Sequence, residues 1–470
     1  MVRISLIKIG GFIMATVVKR NKKYYVVYNY LDAEGNRKQK WESKSTMKEA
    51  QSRKKEVEYK EQLGTFTVPS CTTVDELLQE YVDLYGKNTW ALSTYQSNVS
   101  LIKHYISPVI GQMKLCNVTT RVIEQYYQRM LHFKAVKRAI GTTQPGNVSS
   151  TTVRSLHKLL RSCFSQAVKW ELMERNPCEL ATLPKSNPKE RDIWTADQIF
   201  HALEVCQDKR LKLAISLAFA ASLRIGELLA LTWDCIDITP ESIANSCASI
   251  YINKELQRVN RQVLNTLESK DVQLIFPALN SKTITLQVLK EPKTRSSIRK
   301  VFLPTTVANE LIEWKKDQDE VKEALGSEYK DYGLVFAGPN GMPTEAVKIT
   351  TALRKLIEEN EDLPPIVFHS LRHSSITYKL KLNGGNIKAV QGDSGHAQAN
   401  MVMDVYSHIL DDDRRRNAQL LEEAFYVGSG IAEKSKKQDR LAESLGSDTL
   451  EKILQNPELA ALVKALAEKI

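Results

Sequence analysis

The sequence predicts a multidomain chain with three folded parts in a row. These are a small three-stranded β-sheet plus one helix, an all-α domain, and a mixed, mainly-α domain with a small β-sheet. Three observations carry that prediction. The chain has 470 residues, and at about 100–200 residues per domain this length suggests two to four domains. Two stretches punctuate it, GTFTVPS at Gly64–Ser70 and PKSNP at Pro184–Pro188, whose Pro, Gly and Ser content marks linkers. The apolar pattern also changes along the chain, from β-branched and aromatic runs, to helix-spaced stripes, to a mixture of both.

Composition excludes several classes. Hydrophobic residues make up 42% and charged residues 26%, as in ordinary globular protein, so the chain is not mainly disordered or fibrous. The longest apolar run, near Leu213–Ala221, falls well short of the roughly 20 residues that span a bilayer. Seven cysteines stand at 71, 116, 163, 178, 206, 235 and 247, with no CxxC pair and no Cys/His cluster. That pattern argues against a disulfide framework or a structural zinc site and fits a reducing cytoplasm. The formal net charge is +11. It is concentrated at the front: residues 1–65 sum to +8, 66–185 to +6, 186–430 to −3 and 431–470 to zero. A basic front half points to a polyanionic partner, nucleic acid first, with a merely solvated basic surface as the plainer alternative.

The first part reads as strands around Thr16–Lys19, Tyr24–Tyr30 (YYVVYNY) and Arg37–Trp41, with DAEGN at 32–36 as a turn. Residues 1–13 read as an upstream translation start, with Met14 opening the folded part. Thr46 and Glu49 form a capping box that opens a helix to about Leu63. Lys19, Arg20, Lys22, Lys23, Arg37, Lys38 and Lys40 alternate with aromatics in this sheet, a composition suited to a DNA groove. The second part reads as helices, the first capped by Thr73 and Glu76, the others near Ser93–Ile106, Thr119–Phe133 and Ser150–Trp170. In the last of these, Leu156, Leu159, Leu160, Phe164 and Val168 form a core stripe, and Arg154, Lys158, Arg161 and Lys169 face phosphate or water. The third part reads as helices at 195–206, 208–221 and 225–233, then strands between about 236 and 303, then helices at 305–324, 344–358, 371–382, 399–408 and 413–425. A polar stretch follows at 427–440. Residues 447–470 carry Leu450, Ile453, Leu454, Leu459, Leu462, Val463 and Leu466 at amphipathic spacing.

No phosphate-binding GxxxxGK[ST] loop and no metal-ligand spacing occurs, so neither a metal nor a cofactor is expected. What does occur is an ordered set of cations, histidines and a tyrosine. Arg224 lies in SLRIGELLALTW, Lys293 in EPKTRSSIRKVFLP, His369 and Arg372 in FHSLRHS, His396 in SGHAQ, and Tyr406 ten residues on in DVYSHIL. The set resembles the tyrosine recombinase, or phage integrase, family. FHSLRHSSIT at 368–377 and GHAQANMVMDVYSHI at 395–409 carry the resemblance most specifically, and SLRIGELLALTW at 222–233 is similar to the family's first box. The stretch 254–282 departs from compact relatives and leaves Lys290, Lys293, Arg295 and Lys300 in competition for the family's lysine. Lys293, before TxSS, matches best. Tyr378 and Tyr426 are rival tyrosines, and His373 and His408 are read as structural.

The resemblance implies DNA strand exchange without ATP. Arg224 and Arg372 would hold the two non-bridging oxygens of the scissile phosphate, since a guanidinium offers a fixed fork of donors and never deprotonates in water. Tyr406 would be the nucleophile, Lys293 the general acid, His369 a base or phosphate hydrogen bond, and His396 a phosphate hydrogen-bond donor. Glu227 would orient the site. The implied layout is an arm-type DNA-binding domain at 1–65, a core-binding domain at 66–185, a catalytic domain at 186–426 and a helical tail at 427–470. Implied partners are double-stranded DNA with core-type and arm-type sites, a homotetramer on DNA, a directionality factor and a host DNA-bending protein, in the cytoplasm on the nucleoid. A chromosome-dimer resolvase, a type IB topoisomerase-like enzyme and a non-catalytic DNA-binding protein on the same fold are the rival readings.

Overall fold

The computed structural model describes residues 15–20, 23–31, 37–62, 73–136, 146–185, 192–278, 280, 283–395 and 418–423, and scattered positions between 452 and 465. The chain divides into two compact units. One takes 1–189 with 259–270 and 280–286, and the other takes 190–258, 271–279 and 287–470.

The first unit opens with an antiparallel sheet of β1 (Thr16–Arg20), β2 (Lys23–Leu31) and β3 (Arg37–Lys44) in that order. Its register pairs Val17 with Val26 and Tyr28 with Lys40. Alternation along each strand therefore sorts the side chains onto two faces. Val26 and Tyr28 pack with Ala50 and Val57 of the helix Met47–Gln62. Beneath that helix, Arg53 pairs with Glu42 at 2.9 Å, and the Tyr28 hydroxyl donates to the same carboxylate. Lys19, Lys38 and Lys40 share this helix-bearing face. Arg20, Lys23 and Arg37 share the open one, with Tyr25, Gln39 and Trp41. Lys22 lies outside the described residues.

The expected capping boxes are present: Glu49 N–H donates to Thr46 Oγ1 at 3.2 Å, and Thr73 and Glu76 cap each other. The helical part runs through Val74–Glu80, Leu92–Leu101, Thr120–Leu131 and Ser150–Lys169. The stripe expected on the last helix is buried, with Leu156, Leu160 and Phe164 fully inside.

In the second unit, β4 (Ile236–Asp237), β5 (Ser249–Ile252) and β9 (Arg299–Phe302) form one sheet. A further sheet has the order β6-β8-β7, from β6 (Glu255–Asn260), β7 (Val272–Ile275) and β8 (Thr285–Lys290), of which residues 259–260 and 285–286 are counted with the first unit. Helices Lys209–Ala220, Thr305–Leu325, Ala346–Glu358 and Phe368–Leu382 surround a core that includes Leu217, Ile250, Leu311, Leu353 and Leu371. The fold class is the one the sequence predicts.

Three details differ from the sequence reading. The helix expected at 225–233 spans Ile225–Leu229, because the next residues are drawn into extended pairing: Thr232 bridges Leu334, and Val335 N–H donates to Leu231 O at 2.9 Å. β8 and β9, expected to flank one turn, belong to different sheets. β7, supplied by the 254–282 stretch, pairs with β8, while β9 pairs with β5. A helix at Ile387–Ser394 was not expected, since its polar and glycine-bearing sequence has no apolar stripe. The expected helix at 399–408 and most of the segment after it lie outside the described residues, of which 418–421 are helical.

Candidate active site

The helix Lys209–Ala220 ends at Ala221, and the chain turns through Ser222 at φ 52°. A non-glycine residue in the left-handed region is uncommon, and this one is fully buried and tied down. Its hydroxyl lies 2.7 Å from Ser375 Oγ, and its carbonyl accepts from Arg372 Nη1. Both partners sit on the helix Phe368–Leu382, so that helix fixes the turn. The turn delivers Arg224 to the N-cap of Ile225–Leu229 in extended backbone. There Glu227 accepts from Arg224 N–H at 3.1 Å and from Arg224 Nη1 at 2.7 Å. Glu227 is buried. Burial acts to raise its carboxyl, but Arg299 and then Arg224 outweigh it, so it stays ionised below its usual range.

Arg372 is fully buried. Its second terminal nitrogen donates to Ser394 O, and Glu227 Oε2 lies 3.9 Å from Nη1. Burial, with Arg224 alongside, pulls its guanidinium well below the usual arginine range, to about 9. Arg299 enters from β9 and donates from Nη2 to Glu227 Oε2 at 3.0 Å. Among the described residues, three guanidiniums therefore meet one carboxylate in a largely buried centre. Such a centre has strong electrostatic affinity for an anion.

Of the residues singled out in the sequence, the structure joins Arg224, Glu227 and Arg372 by direct contacts. His369 is exposed, one turn before Arg372 on the same helix, and its ring stands edge-on to His373 at 4.9 Å. Among the four competing cations, Lys290 is buried in an ion pair with Glu255 at 2.8 Å, and Lys300 lies over the Phe302 ring at 5.3 Å. Lys293 is exposed on the connection from β8 to β9. Tyr378 packs on Phe219, with ring centroids 5.6 Å apart. His396 and Tyr406 lie outside the described residues, as do Tyr426 and His408. Sequence reasoning missed Arg299. The available signal was an arginine at an inward position of the alternating strand Arg299–Phe302, where Val301 is buried on the same face. Among the described residues no group of three His, Cys, Asp or Glu side chains is placed to hold a metal ion, and no helix is long and apolar enough to cross a membrane.

The family profile described as "Phage integrase family" matches residues 194–413, which contain every residue of this cluster, and the profile "Phage integrase, N-terminal SAM-like domain" matches 73–131. The chain belongs to the phage integrase family. This integrase is similar to a "Tyrosine recombinase XerC-like" protein of Caldanaerobacter subterraneus subsp. tengcongensis, 27% identical over 87% of this chain and 98% of the relative. It is also similar to the ICEBs1 integrase of Bacillus subtilis, 22% identical over 70% of this chain and 77% of the relative. The Tn1549 transposon integrase, solved in complex with a circular intermediate DNA, shares its fold with a TM-score of 0.57 at 20% identity. That match covers 75% of this chain and all of the solved one. The integrase is thus an enzyme of the tyrosine recombinase class, which cuts and rejoins DNA.

Proposed function

We propose that this integrase inserts and excises a mobile element through a 3′-phosphotyrosyl intermediate on Tyr406. The observation that carries this reading is the convergence of Arg224, Arg299 and Arg372 on Glu227 in one buried cluster. Arg224, with its side chain 35% exposed, reaches the substrate side. Arg372, from below, complements the charge that grows on the phosphate oxygens in the transition state. Tyr406 Oη attacks phosphorus and forms the Tyr–O–P bond. The P–O5′ bond breaks, the phenol proton passes to His369, and Lys293 protonates the departing 5′ oxygen. His396 donates a hydrogen bond to the phosphate. The freed 5′-hydroxyl of the partner strand then attacks the phosphotyrosine in the reverse sense, so bond energy is conserved and no nucleotide cofactor is required. Lys293, without an ion pair or hydrogen bond among the described residues, suits a mobile acid better than Lys290, which is held by Glu255.

In this reading residues 1–65 bind arm-type DNA, 66–185 bind core-type DNA, 186–426 carry catalysis and 427–470 form a tail that packs on the same or a neighbouring protomer. Four protomers act on two duplexes in the cytoplasm, with a directionality factor and a DNA-bending protein as accessories. The DNA held by the Tn1549 integrase supports duplex DNA as the substrate. Tyr406→Phe on a nicked core-type duplex tests the chemistry. It is expected to bind DNA yet form no covalent adduct on a denaturing gel, and an adduct from this variant would refute the assignment.

A further inference from the structure

We propose that Arg299 is a positioning residue for strand cleavage, holding the turn that precedes His396 in register with Glu227 and the Arg224–Arg372 pair. The inference rests on reading that pair as the phosphate site. Arg299 is buried, with a side chain 5% exposed. All three of its nitrogens donate, one within its own segment and two to distant ones: Nη1 to Ser297 O at 2.9 Å, Nε to Asp393 O at 2.7 Å and Nη2 to Glu227 Oε2 at 3.0 Å. Arg372 takes the next carbonyl, that of Ser394. Two guanidiniums therefore bind consecutive carbonyls at the C-terminus of the helix Ile387–Ser394, where such groups lack helical partners and carry partial negative charge.

The turn beyond is shaped to fit. Gly395 is left-handed at φ 64°, and a Cβ there would lie 2.9 Å from Arg299 Nη1 and 3.0 Å from Ser296 O. No side chain fits without displacing the arginine. Packing alone does not call for Arg299. Its strand neighbour on the same face, Val301, is buried, and an apolar residue fills such a position without the desolvation cost of a buried ion pair. What an apolar residue lacks is the three-way fork. Through that fork the carboxylate that orients Arg224 and the turn that leads to His396 share one anchor. Arg299 itself contributes no donor to the phosphate.

Arg299→Met keeps the volume and removes the donors. At saturating protein on a nicked core-type duplex, its single-turnover rate of adduct formation is expected to fall about 100-fold, the scale of an ångström-sized misplacement, with the core-site Kd within about threefold of the parent. Arg299→Lys restores a cation beside Glu227 but only one direction of bonding, and is expected to recover part of the rate. Should Arg299→Met fail to fold, the paired Glu227→Gln/Arg299→Met variant leaves no uncompensated buried carboxylate. It is expected to fold, bind core DNA and cleave more slowly than Glu227→Gln alone. A folded Arg299→Met that cleaves at the parent rate, a paired variant as fast as Glu227→Gln, or slowing that weaker DNA binding explains in full, overturns the proposal. Tyr406→Phe in the same assay reports on the phosphotyrosine reading independently, because an adduct there removes the chemistry, whereas a fast Arg299 variant removes only the positioning role.

Discussion

At the scale of single residues, the centre is governed by how far burial can push a guanidinium. Arg372 is held at about 9 by desolvation and by Arg224, with Glu227 opposing and Arg299 adding to the depression. Below that pH it is charged and, in the proposed reading, draws the phosphate. As pH rises through about 9 the unliganded protein loses that charge, so kcat/KM for cleavage is expected to fall there. Bound phosphate favours the charged form, so the limb in kcat should lie higher than the limb in kcat/KM. In Arg372→Lys a buried ammonium is depressed further, which moves the kcat/KM limb to lower pH. A limb unmoved by that substitution would assign the titration to another group. Arg224, Glu227 and Arg372 were legible through the resemblance that the ordered set of cations, histidines and tyrosine carries, since an arginine before an apolar helix or an HxxR pair is a weak signal by itself. Arg299 was not legible, since its meaning lies in contacts 72 and 94 residues away along the chain.

Among elements, strands and helices were legible where one periodicity dominated. YYVVYNY could only be a strand, and the Ser150–Lys169 stripe could only be a helix with one buried side. What the pattern withheld was register. The seven basic residues proposed to meet DNA look equivalent in the sequence. Pairing across β1, β2 and β3 then divides six of them between the open face and the face that carries the helix. Arg20, Lys23 and Arg37 stand with Trp41, 47% exposed, and with Tyr25, whose ring meets the indole edge-on at 5.9 Å. An open sheet face of this size fits a major groove. Arg37→Ala is therefore expected to weaken arm-type DNA binding by about tenfold and Lys38→Ala by no more than about twofold, as judged by gel shift at fixed salt. Equal losses from the two would mean that the helix-bearing face, or the sheet edge, makes the contact. The connection from β8 to β9 was illegible for a related reason. Its residues read as a turn, and only the pairing of β8 with β7 shows that it crosses between two sheets.

For the whole molecule, the net charge of +11 conceals two populations of cation that obey different physics. Those described in residues 1–185 are mainly exposed, and in the proposed reading their attraction to DNA is entropic, from release of counterions. Those at the centre are few and desolvated, and their effect depends on position, because a charge in a dry environment is screened little by salt. The two populations separate in one experiment. Measured against salt, the logarithm of arm-type DNA affinity should fall linearly, with a slope of about −0.9 per phosphate neutralised. Replacing Lys23 and Arg37 together by Ala should make that slope shallower by up to about two units. Arg224→Lys removes no net charge, so it should leave the slope as it was. Yet adduct formation should drop by about 100-fold or more, because an ammonium cannot reproduce the planar fork that bridges Glu227 and phosphate. A slope that responds to Arg224→Lys as it does to Lys23 and Arg37 would mean that the buried centre, too, binds DNA as a counterion surface, and the division of labour between front and back of the chain would not hold.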